Sequence, residues 1–279
     1  METIREGFFE GAGGLKLLYR AWGPPGISRA VLAVVHGHGE HSGRYEDVAD
    51  ALVPRGVAVV AFDLRGHGRS PGQRGHIESW DDYREDVRAF LHTIHAEQPG
   101  APVFLWGYSL GALIALEFAL RSPRDLHGLI LMGTPIRPAG VARPYLVWLA
   151  RVFGALIPRF RMNLGLNVSQ ATRDPAVVEA GRHDPLMHPW ASARWGSECL
   201  RALAWVQVHA SDLRLPVLFL HGEADAVSAV EGVRAYFARL TCPDRELKIY
   251  PGASHELHHD LVRDQVLADM GDWMLRHTC

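Results

Sequence analysis

Short apolar runs alternate with longer segments of helical periodicity along most of this chain. The runs consist mainly of branched and aromatic side chains without polar alternation, which is typical of strands buried on both faces of a sheet. They are Val31–Val35, Val57–Phe62, Val103–Trp106, Leu129–Met132, Val217–Leu220 and Leu247–Tyr250. The helical segments are Tyr45–Val53, Trp80–His95, Ala112–Leu120, Ala229–Leu240 and Leu257–Arg276.

This alternation predicts an α/β fold with a mainly parallel central sheet flanked by helices. A β-hairpin is expected before it, because Phe8–Phe9 and Leu15–Trp22 flank a glycine-rich turn. Sheets of this kind place their chemistry at the carboxyl ends of strands. Five polar residues lie just beyond a predicted strand, namely His36, Asp63, Ser109, Asp225 and His255.

One segment breaks the alternation. Residues 135–205 contain helical and irregular patterns without a convincing strand, so we predict that they form an inserted, mostly helical cap on a core made of residues 1–134 and 206–279. Within the cap, Tyr145–Ile157 is apolar on nearly every face, and Arg143, Arg159 and Arg161 flank it. These apolar faces are expected to pack on the core, and Trp148 and Phe153 are candidates for a transient contact with a membrane surface.

Composition narrows the class of protein. At 279 residues and 48% hydrophobic content, the chain supplies the core of one large α/β domain. The net charge of −2 predicts no nucleic-acid partner, and no stretch approaches the roughly 20 apolar residues of a membrane-spanning helix. Cys199, Cys242 and Cys279 are scattered and odd in number, which fits reduced thiols and a cytoplasmic protein. The oligomeric state is not defined by these features.

The pentapeptide Gly107-Tyr-Ser-Leu-Gly111 lies between a predicted strand and a predicted helix. In that context G-x-S-x-G indicates a nucleophile elbow, a sharp turn that exposes the hydroxyl of Ser109. Gly107 and Gly111 are expected because a Cβ at either position would collide with the adjoining strand or helix. The pattern therefore predicts an acyl-transfer serine.

A serine nucleophile needs a base, and the base needs a carboxylate that fixes its tautomer. In elbow enzymes the chain order is serine, then acid, then histidine. Asp225 follows one late strand and His255 follows the next, so we assign them as orienting acid and general base. Glu223 is the competing acid, and His258 and His259, within the last predicted helix, compete with His255.

Two backbone N–H groups are expected to stabilise the oxyanion. One belongs to Leu110, directly after the nucleophile, and the other to His38, in the loop after Val31–Val35. A metal centre is the alternative use of the histidines in the loops, since H-x-H is a plausible zinc pair. No H-E-x-x-H motif is present and no nearby acidic set completes a shell, so we expect neither a metal nor a cofactor.

Several of these strings resemble the α/β-hydrolase family, in particular its monoacylglycerol lipase and lysophospholipase-like branch. The resemblance spans about Val31 to His258 and rests on His36-Gly-His-Gly-Glu-His-Ser-Gly-Arg-Tyr45, Asp63-Leu-Arg-Gly-His-Gly-Arg-Ser70 and His221-Gly-Glu-Ala-Asp225. It implies that Glu40, Arg44 and His258 help to bind a glycerol headgroup. A structural ion pair between Glu40 and Arg44 is the alternative. His38 departs from the branch, which often has a small residue there.

The resemblance and the ordered triad together predict a capped α/β-hydrolase. We expect it to cleave carboxylic esters of lipids, most of all monoacylglycerols, through an acyl-enzyme on Ser109. Lysophospholipase and general carboxylesterase activity are the alternatives. An aminopeptidase of the same fold would need a carboxylate cluster in the cap, for which Asp174, Glu179, Asp184 and Glu198 are the candidates. A non-catalytic binding protein is the alternative from another class.

Overall fold

A central sheet of eight strands organises the computed structural model, which describes residues 4–24, 26–137, 152–165 and 168–278. The ten strands among the described residues are β1 Arg5–Glu10, β2 Lys16–Trp22, β3 Ala30–Val35, β4 Val57–Phe62, β5 Val103–Tyr108, β6 Gly128–Met132, β7 Arg161–Asn163, β8 Trp190–Ser192, β9 Val217–Gly222 and β10 Arg245–Tyr250. The sheet has the order β1-β2-β4-β3-β5-β6-β9-β10. β1 and β2 pair antiparallel, β2 pairs antiparallel with β4, and the remaining neighbours are parallel.

The central strands are apolar throughout because both faces of the sheet are covered. Along β3, Val31 and Val35 pack into one hydrophobic cluster, whereas Leu32 and Val34 pack into a second cluster on the other face. This is the two-residue period of a strand, with a core on each side of it. Every residue of β3 is buried.

Helices supply the two outer layers. The helices of the described residues include α1 Glu46–Leu52, α2 Trp80–Glu97, α3 Leu110–Arg121, α4 Val168–Ala171, α5 Pro175–His183, α6 Ala193–Val208, α7 Val230–Phe237 and α8 Arg263–Arg276. α1 and α8 cover one face, and α2 and α3 cover the other. Two short 3₁₀ helices, Ser42–Tyr45 and Leu257–His259, lie in loops that follow β3 and β10.

The predicted fold class and the N-terminal hairpin are confirmed. The prediction that residues 135–205 lack strands is wrong, because β7 pairs antiparallel with β8 in a separate two-stranded sheet. The last predicted helix also divides, so that His258 and His259 lie in the 3₁₀ turn and α8 begins at Arg263.

The predicted cap is only partly within the described ranges. Arg143 and Trp148 lie outside them, whereas Phe153, Arg159 and Arg161 lie inside. α6 crosses position 205, and the division into 1–134, 135–205 and 206–279 stays a prediction. Within the described ranges, every helix is too short or too polar to span a lipid bilayer.

Candidate active site

Ser109 occupies the turn between β5 and α3 in a left-handed conformation, with φ 52° and ψ −114°. It is the one described residue other than glycine that has a positive φ. The N–H of Ser109 donates to the carbonyl of Met132 on neighbouring β6 at 2.9 Å, which fixes the turn against the sheet. Ser109 is partly accessible, while its neighbours Tyr108 and Leu110 are buried. The turn therefore presents one hydroxyl at the sheet edge.

The two glycines of the pentapeptide permit close backbone contacts. A Cβ on Gly107 would lie 2.2 Å from the carbonyl oxygen of Gly111, in the first turn of α3. A Cβ on Gly111 would lie 1.9 Å from the carbonyl oxygen of Val35, at the end of β3. Real Cβ contacts are essentially never this short, so the turn can form only with glycine at both positions.

Ser109, His255 and Asp225 are joined by hydrogen bonds, although they lie far apart in sequence. The Nε2 atom of His255 is 2.8 Å from the Oγ atom of Ser109. The Nδ1 atom of the same ring is 2.6 Å from Oδ2 of Asp225. A carboxylate only accepts, so Nδ1 carries the proton and Nε2 is left free to accept from the serine hydroxyl. This is the tautomer that a general base requires.

The surroundings of Asp225 keep it ionised. Its Oδ1 atom accepts the N–H groups of Val227 and Ser228 at 2.8 and 2.9 Å. Burial raises the pKa of Asp225, but the hydrogen bond and charge of His255 and the N–H of Ser228 outweigh burial and lower the pKa below its usual value. The competing Glu223 is exposed and accepts from the N–H of Gly252 at 3.3 Å.

Of the two predicted oxyanion donors, Leu110 directly follows the serine and His38 lies in the loop after β3. Among the described residues, neither the N–H of His38 nor that of Leu110 has an acceptor. The imidazole of His38 is turned toward the cap, where Nε2 donates to the carbonyl of Trp190 at 3.0 Å and the ring lies 4.5 Å from that of Trp195. Burial, with a smaller effect of nearby His188, lowers the pKa of His38 to about 3, so the ring is neutral.

Glu40 and Arg44 form the ion pair given above as the alternative, with Nε of Arg44 3.2 Å from Oε2 of Glu40. The buried ring of His258 stacks on Tyr45 at 5.2 Å, and its Nδ1 atom is 3.3 Å from the sulfur of Met132. Burial, with a smaller effect of a neighbouring histidine, holds the pKa of His258 well below its ordinary value. Contact of these residues with a headgroup stays a prediction.

The sequence did not single out Glu256, which follows His255 directly. Its Oε1 atom accepts from Nη2 of Arg44 at 2.8 Å and from Nδ1 of His259 at 2.6 Å. Glu256 is buried, so its charge requires such partners. The signal in the sequence that points to Glu256 is its position as a charged residue between the candidate base His255 and the apolar Leu257.

His36, one of the histidines of the zinc alternative, has a partner at each ring nitrogen. Nδ1 of His36 donates to the carbonyl of Gly37 at 2.7 Å, and Nε2 accepts from the N–H of Leu64 at 2.9 Å. Within the described ranges, one group places three possible metal donors within 4.8 Å of one another, namely Glu256, His258 and His259. The guanidinium of Arg44 already neutralises the carboxylate of that group.

A left-handed serine between a buried strand and a helix, hydrogen bonded to a histidine from a later loop of the same parallel sheet, is characteristic of the α/β-hydrolase class. Residues 26–262 match the family described as "Serine aminopeptidase, S33", and the chain belongs to this family.

Its relatives include lipases. The chain is 33% identical to a monoacylglycerol lipase of Mycolicibacterium smegmatis over 99% of this chain and 98% of that protein. It is also 33% identical to the monoglyceride lipase of Homo sapiens, over 96% of this chain and 89% of that protein. The crystal structure of a monoacylglycerol lipase from Paleococcus ferrophilus superposes with a TM-score of 0.86 at 30% identity, covering 94% of this chain and 99% of that one.

Proposed function

We propose that this protein hydrolyses carboxylic esters of lipids, in particular monoacylglycerols, through an acyl-enzyme on Ser109. The hydrogen-bonded chain from Ser109 through His255 to Asp225 is the observation that carries the proposal. The similarity to monoacylglycerol lipases over nearly the whole chain supports the substrate class.

In the first half-reaction, Oγ of Ser109 attacks the ester carbonyl while Nε2 of His255 takes the hydroxyl proton. The carbonyl oxygen becomes an oxyanion, and the free N–H groups of His38 and Leu110 stabilise it. Asp225, held ionised, stabilises the imidazolium. When the tetrahedral intermediate collapses, the ester C–O bond breaks and His255 returns the proton to the departing glycerol oxygen.

In the second half-reaction, water takes the place of the alcohol. His255 removes a proton from the water, whose oxygen attacks the acyl carbonyl, and a second oxyanion forms at the same donors. Collapse breaks the bond to Oγ of Ser109, and the serine recovers its proton from His255. The fatty acid leaves, and neither an oxidant nor a reductant is consumed.

The contacts of the cap carboxylates do not favour an aminopeptidase. Such an enzyme needs an unpaired carboxylate near the nucleophile to bind the substrate ammonium. Here Asp184 accepts from His41 at 2.8 Å, and Glu198 accepts from the N–H of Trp80 at 3.2 Å. Asp174 caps α5, and Glu179 is exposed and pairs with Arg182 on the same helix.

Release of glycerol and fatty acid from a chain-length series of monoacylglycerols tests the function. Matched lysophospholipids and p-nitrophenyl esters are assayed beside it. Ser109→Ala is expected to lower kcat by about 10⁶, whereas Ser211→Ala, at an exposed serine, leaves it unchanged. A preference for lysophospholipids would show that they, and not monoacylglycerols, are the substrate class. Rates that persist in Ser109→Ala would refute the mechanism.

We further propose that the cap touches the lipid surface from which the substrate comes, while the protein itself is cytoplasmic. Phe153, Leu156, Ile157 and Phe160 expose apolar side chains, and Leu156 is 74% exposed. The exposed Arg159 lies among them and suits anionic headgroups. Leu156→Ser is expected to reduce co-sedimentation with phosphatidylglycerol vesicles, and Phe8→Ser, at a side chain of β1 that is 62% exposed, is the control. Equal sedimentation of both variants would refute the contact.

A further inference from the structure

Arg44 bridges two buried carboxylates. Its Nε atom is 3.2 Å from Oε2 of Glu40, and its Nη2 atom is 2.8 Å from Oε1 of Glu256. The side chain of Arg44 is 9% exposed, and those of Glu40 and Glu256 are 4% and 5% exposed. Water therefore screens these contacts little, and each charge depends on the others for stabilisation.

The two carboxylates belong to different loops of the active site. Oε1 of Glu40 accepts from the N–H of Gly37 at 2.5 Å, and Gly37 immediately precedes His38, the predicted oxyanion donor. Glu256 immediately follows His255, the predicted base. The bridge thus joins the loop that supplies an oxyanion donor to the loop that supplies the base.

Further contacts fix both ends of the bridge. The hydroxyl of Tyr45 donates to Oε1 of Glu40 at 2.9 Å. The N–H of Glu256 donates to the carbonyl of Ala171 at 2.7 Å, which connects this residue to α4. Burial raises the pKa of Glu256, but the neighbouring His259 and Arg44 outweigh burial and lower it, so Glu256 is a carboxylate.

We propose that Glu256 is a positioning residue that acts through Arg44 and Glu40. Its role is to hold the loop that contains His38, which supplies an oxyanion donor, at a fixed position relative to His255. The inference rests on the proposed hydrolysis. Its physical basis is that an oxyanion hole works only when its donors are held about 2.7–3.1 Å from the developing charge. A shift of about 1 Å in one loop can cost about 10²-fold in rate. Glu256 touches neither Ser109 nor the hydrogen-bonded nitrogens of His255, so its effect is indirect.

The variant Glu256→Gln keeps the shape of the side chain and removes its charge. It is expected to lower kcat for p-nitrophenyl butyrate by about 10–100-fold while KM changes less than about twofold, because oxyanion stabilisation is expressed in the transition state. The affinity for a trifluoromethyl ketone, which forms an oxyanion on the serine, should fall by a similar factor. Glu256→Asp retains the charge on a shorter side chain. Its kcat and its affinity for the ketone should therefore lie between those of the wild-type protein and those of Glu256→Gln.

Glu117→Gln is the matched control. Glu117 is also buried and also contacts two arginines, Arg84 and Arg121, but it lies in the C-terminal half of α3, about two turns beyond Ser109. Loss of the charge of Glu117 should lower the unfolding temperature without changing the affinity for the ketone. If Glu117→Gln reproduces the catalytic loss of Glu256→Gln, or if both Glu256 variants leave kcat unchanged, the inference is refuted.

A double-mutant cycle tests the proposed route through Arg44. Glu40 and Glu256 both contact Arg44, so Glu40→Gln and Glu256→Gln should be non-additive in kcat, with the double variant close to the worse single variant. Additive losses would overturn the inference while leaving hydrolysis intact. A wild-type protein that cleaves no ester and does not react with the ketone would instead refute the proposed function.

Discussion

The nucleophile elbow and the attachment of the cap are held in different ways. At the elbow, backbone atoms contact backbone atoms, as in the approach of Gly111 to Val35 and the hydrogen bond from Ser109 to Met132. Residues 184–192 of the predicted cap form two backbone hydrogen bonds to the core, from His188 to Gly39 at 2.9 Å and from Ser192 to Gly75 at 2.8 Å, and add four contacts through histidine side chains. These contacts are His38 with Trp190 at 3.0 Å, His41 with Asp184 at 2.8 Å, His76 with Ser192 at 2.8 Å and His188 with Gly66 at 3.1 Å.

Because of this difference, we expect the elbow and the cap attachment to respond differently to added volume and to pH. Backbone contacts at the elbow do not titrate and tolerate no added atom, so the elbow is sensitive to volume and insensitive to pH. Imidazole contacts can be replaced by other donors, but they depend on the protonation state of the ring. The elbow is therefore expected to respond to added volume, whereas the cap has titratable contacts beside its backbone hydrogen bonds.

The largest effect is expected from adding one methyl group at the elbow. In Gly111→Ala the new Cβ meets the backbone of Val35 and His36, which cannot move without disrupting β3. We expect a loss of about 3 kcal/mol or more in the free energy of unfolding, together with loss of esterase activity. Thermal unfolding measures the loss of stability, and hydrolysis of p-nitrophenyl butyrate measures the loss of activity.

The matched control is Gly196→Ala in α6, where an added Cβ has no neighbour within 4 Å. Alanine is the better helix former, so this variant should gain about 0.5–1 kcal/mol. Equal destabilisation by the two substitutions would contradict the contrast between elbow and cap.

An intermediate effect is expected from acid. Burial is the main cause that lowers the pKa of His38 to about 3 and that of His188 to about 4. His188 and His36 also lower the pKa of His38, and Arg74 and His36 also lower that of His188. The unfolded chain takes up these protons below about 6.5, the ordinary value, whereas the folded protein does not. Their stabilising contribution is thus complete above pH 6.5 and is lost as the pH falls toward about 4.

His188→Gln should reduce this pH dependence by up to about one proton. A glutamine amide can still donate to the carbonyl of Gly66, so the change mainly removes the titrating group. His92→Gln, at an exposed histidine of α2, is the control. The free energy of unfolding from urea titrations between pH 4 and 7 measures the slope. An unchanged slope in His188→Gln would show that this contact does not sense pH.

The smallest effect is expected at a further contact between the cap and the core, the ion pair of Arg173 with Asp260. Nε of Arg173 is 2.9 Å from Oδ1 of Asp260, and the arginine side chain is 36% exposed. The carboxylate of Asp260 is buried and keeps the N–H of Arg173 at 3.1 Å, while the arginine end of the pair is open to water. Arg173→Ala should therefore cost about 1–2 kcal/mol, and less at high salt. Arg182→Ala, at an exposed pair with Glu179, should cost nothing measurable. A salt-independent loss in Arg173→Ala would point to packing rather than charge.

The sheet could be predicted from the sequence because its strands are buried on both faces and therefore read as continuous apolar runs. β4 extends over the same residues as predicted, Val57–Phe62. The order of Ser109, Asp225 and His255 along the chain was informative because each residue follows a strand of one parallel sheet. Their hydrogen bonds agree with that expectation, and their catalytic roles stay predictions.

The sequence was uninformative where long-range polar contacts define the structure. β7 and β8 have only three residues each, with all of β7 exposed, so they carry no periodic signal. Glu256 meets Arg44 across 212 positions of sequence, and nothing local reports such a contact. His188 likewise reaches Gly66 only after the chain has folded.

The left-handed backbone of Ser109 has a consequence for protein engineering. A serine at φ 52° is strained by an amount of order 1–3 kcal/mol that a glycine at the same position would largely avoid. The inactive variant Ser109→Gly should therefore melt at a higher temperature than the wild-type protein. Selection for thermal stability alone would then favour loss of the nucleophile, so a screen for robust variants of this chain must score turnover together with melting temperature.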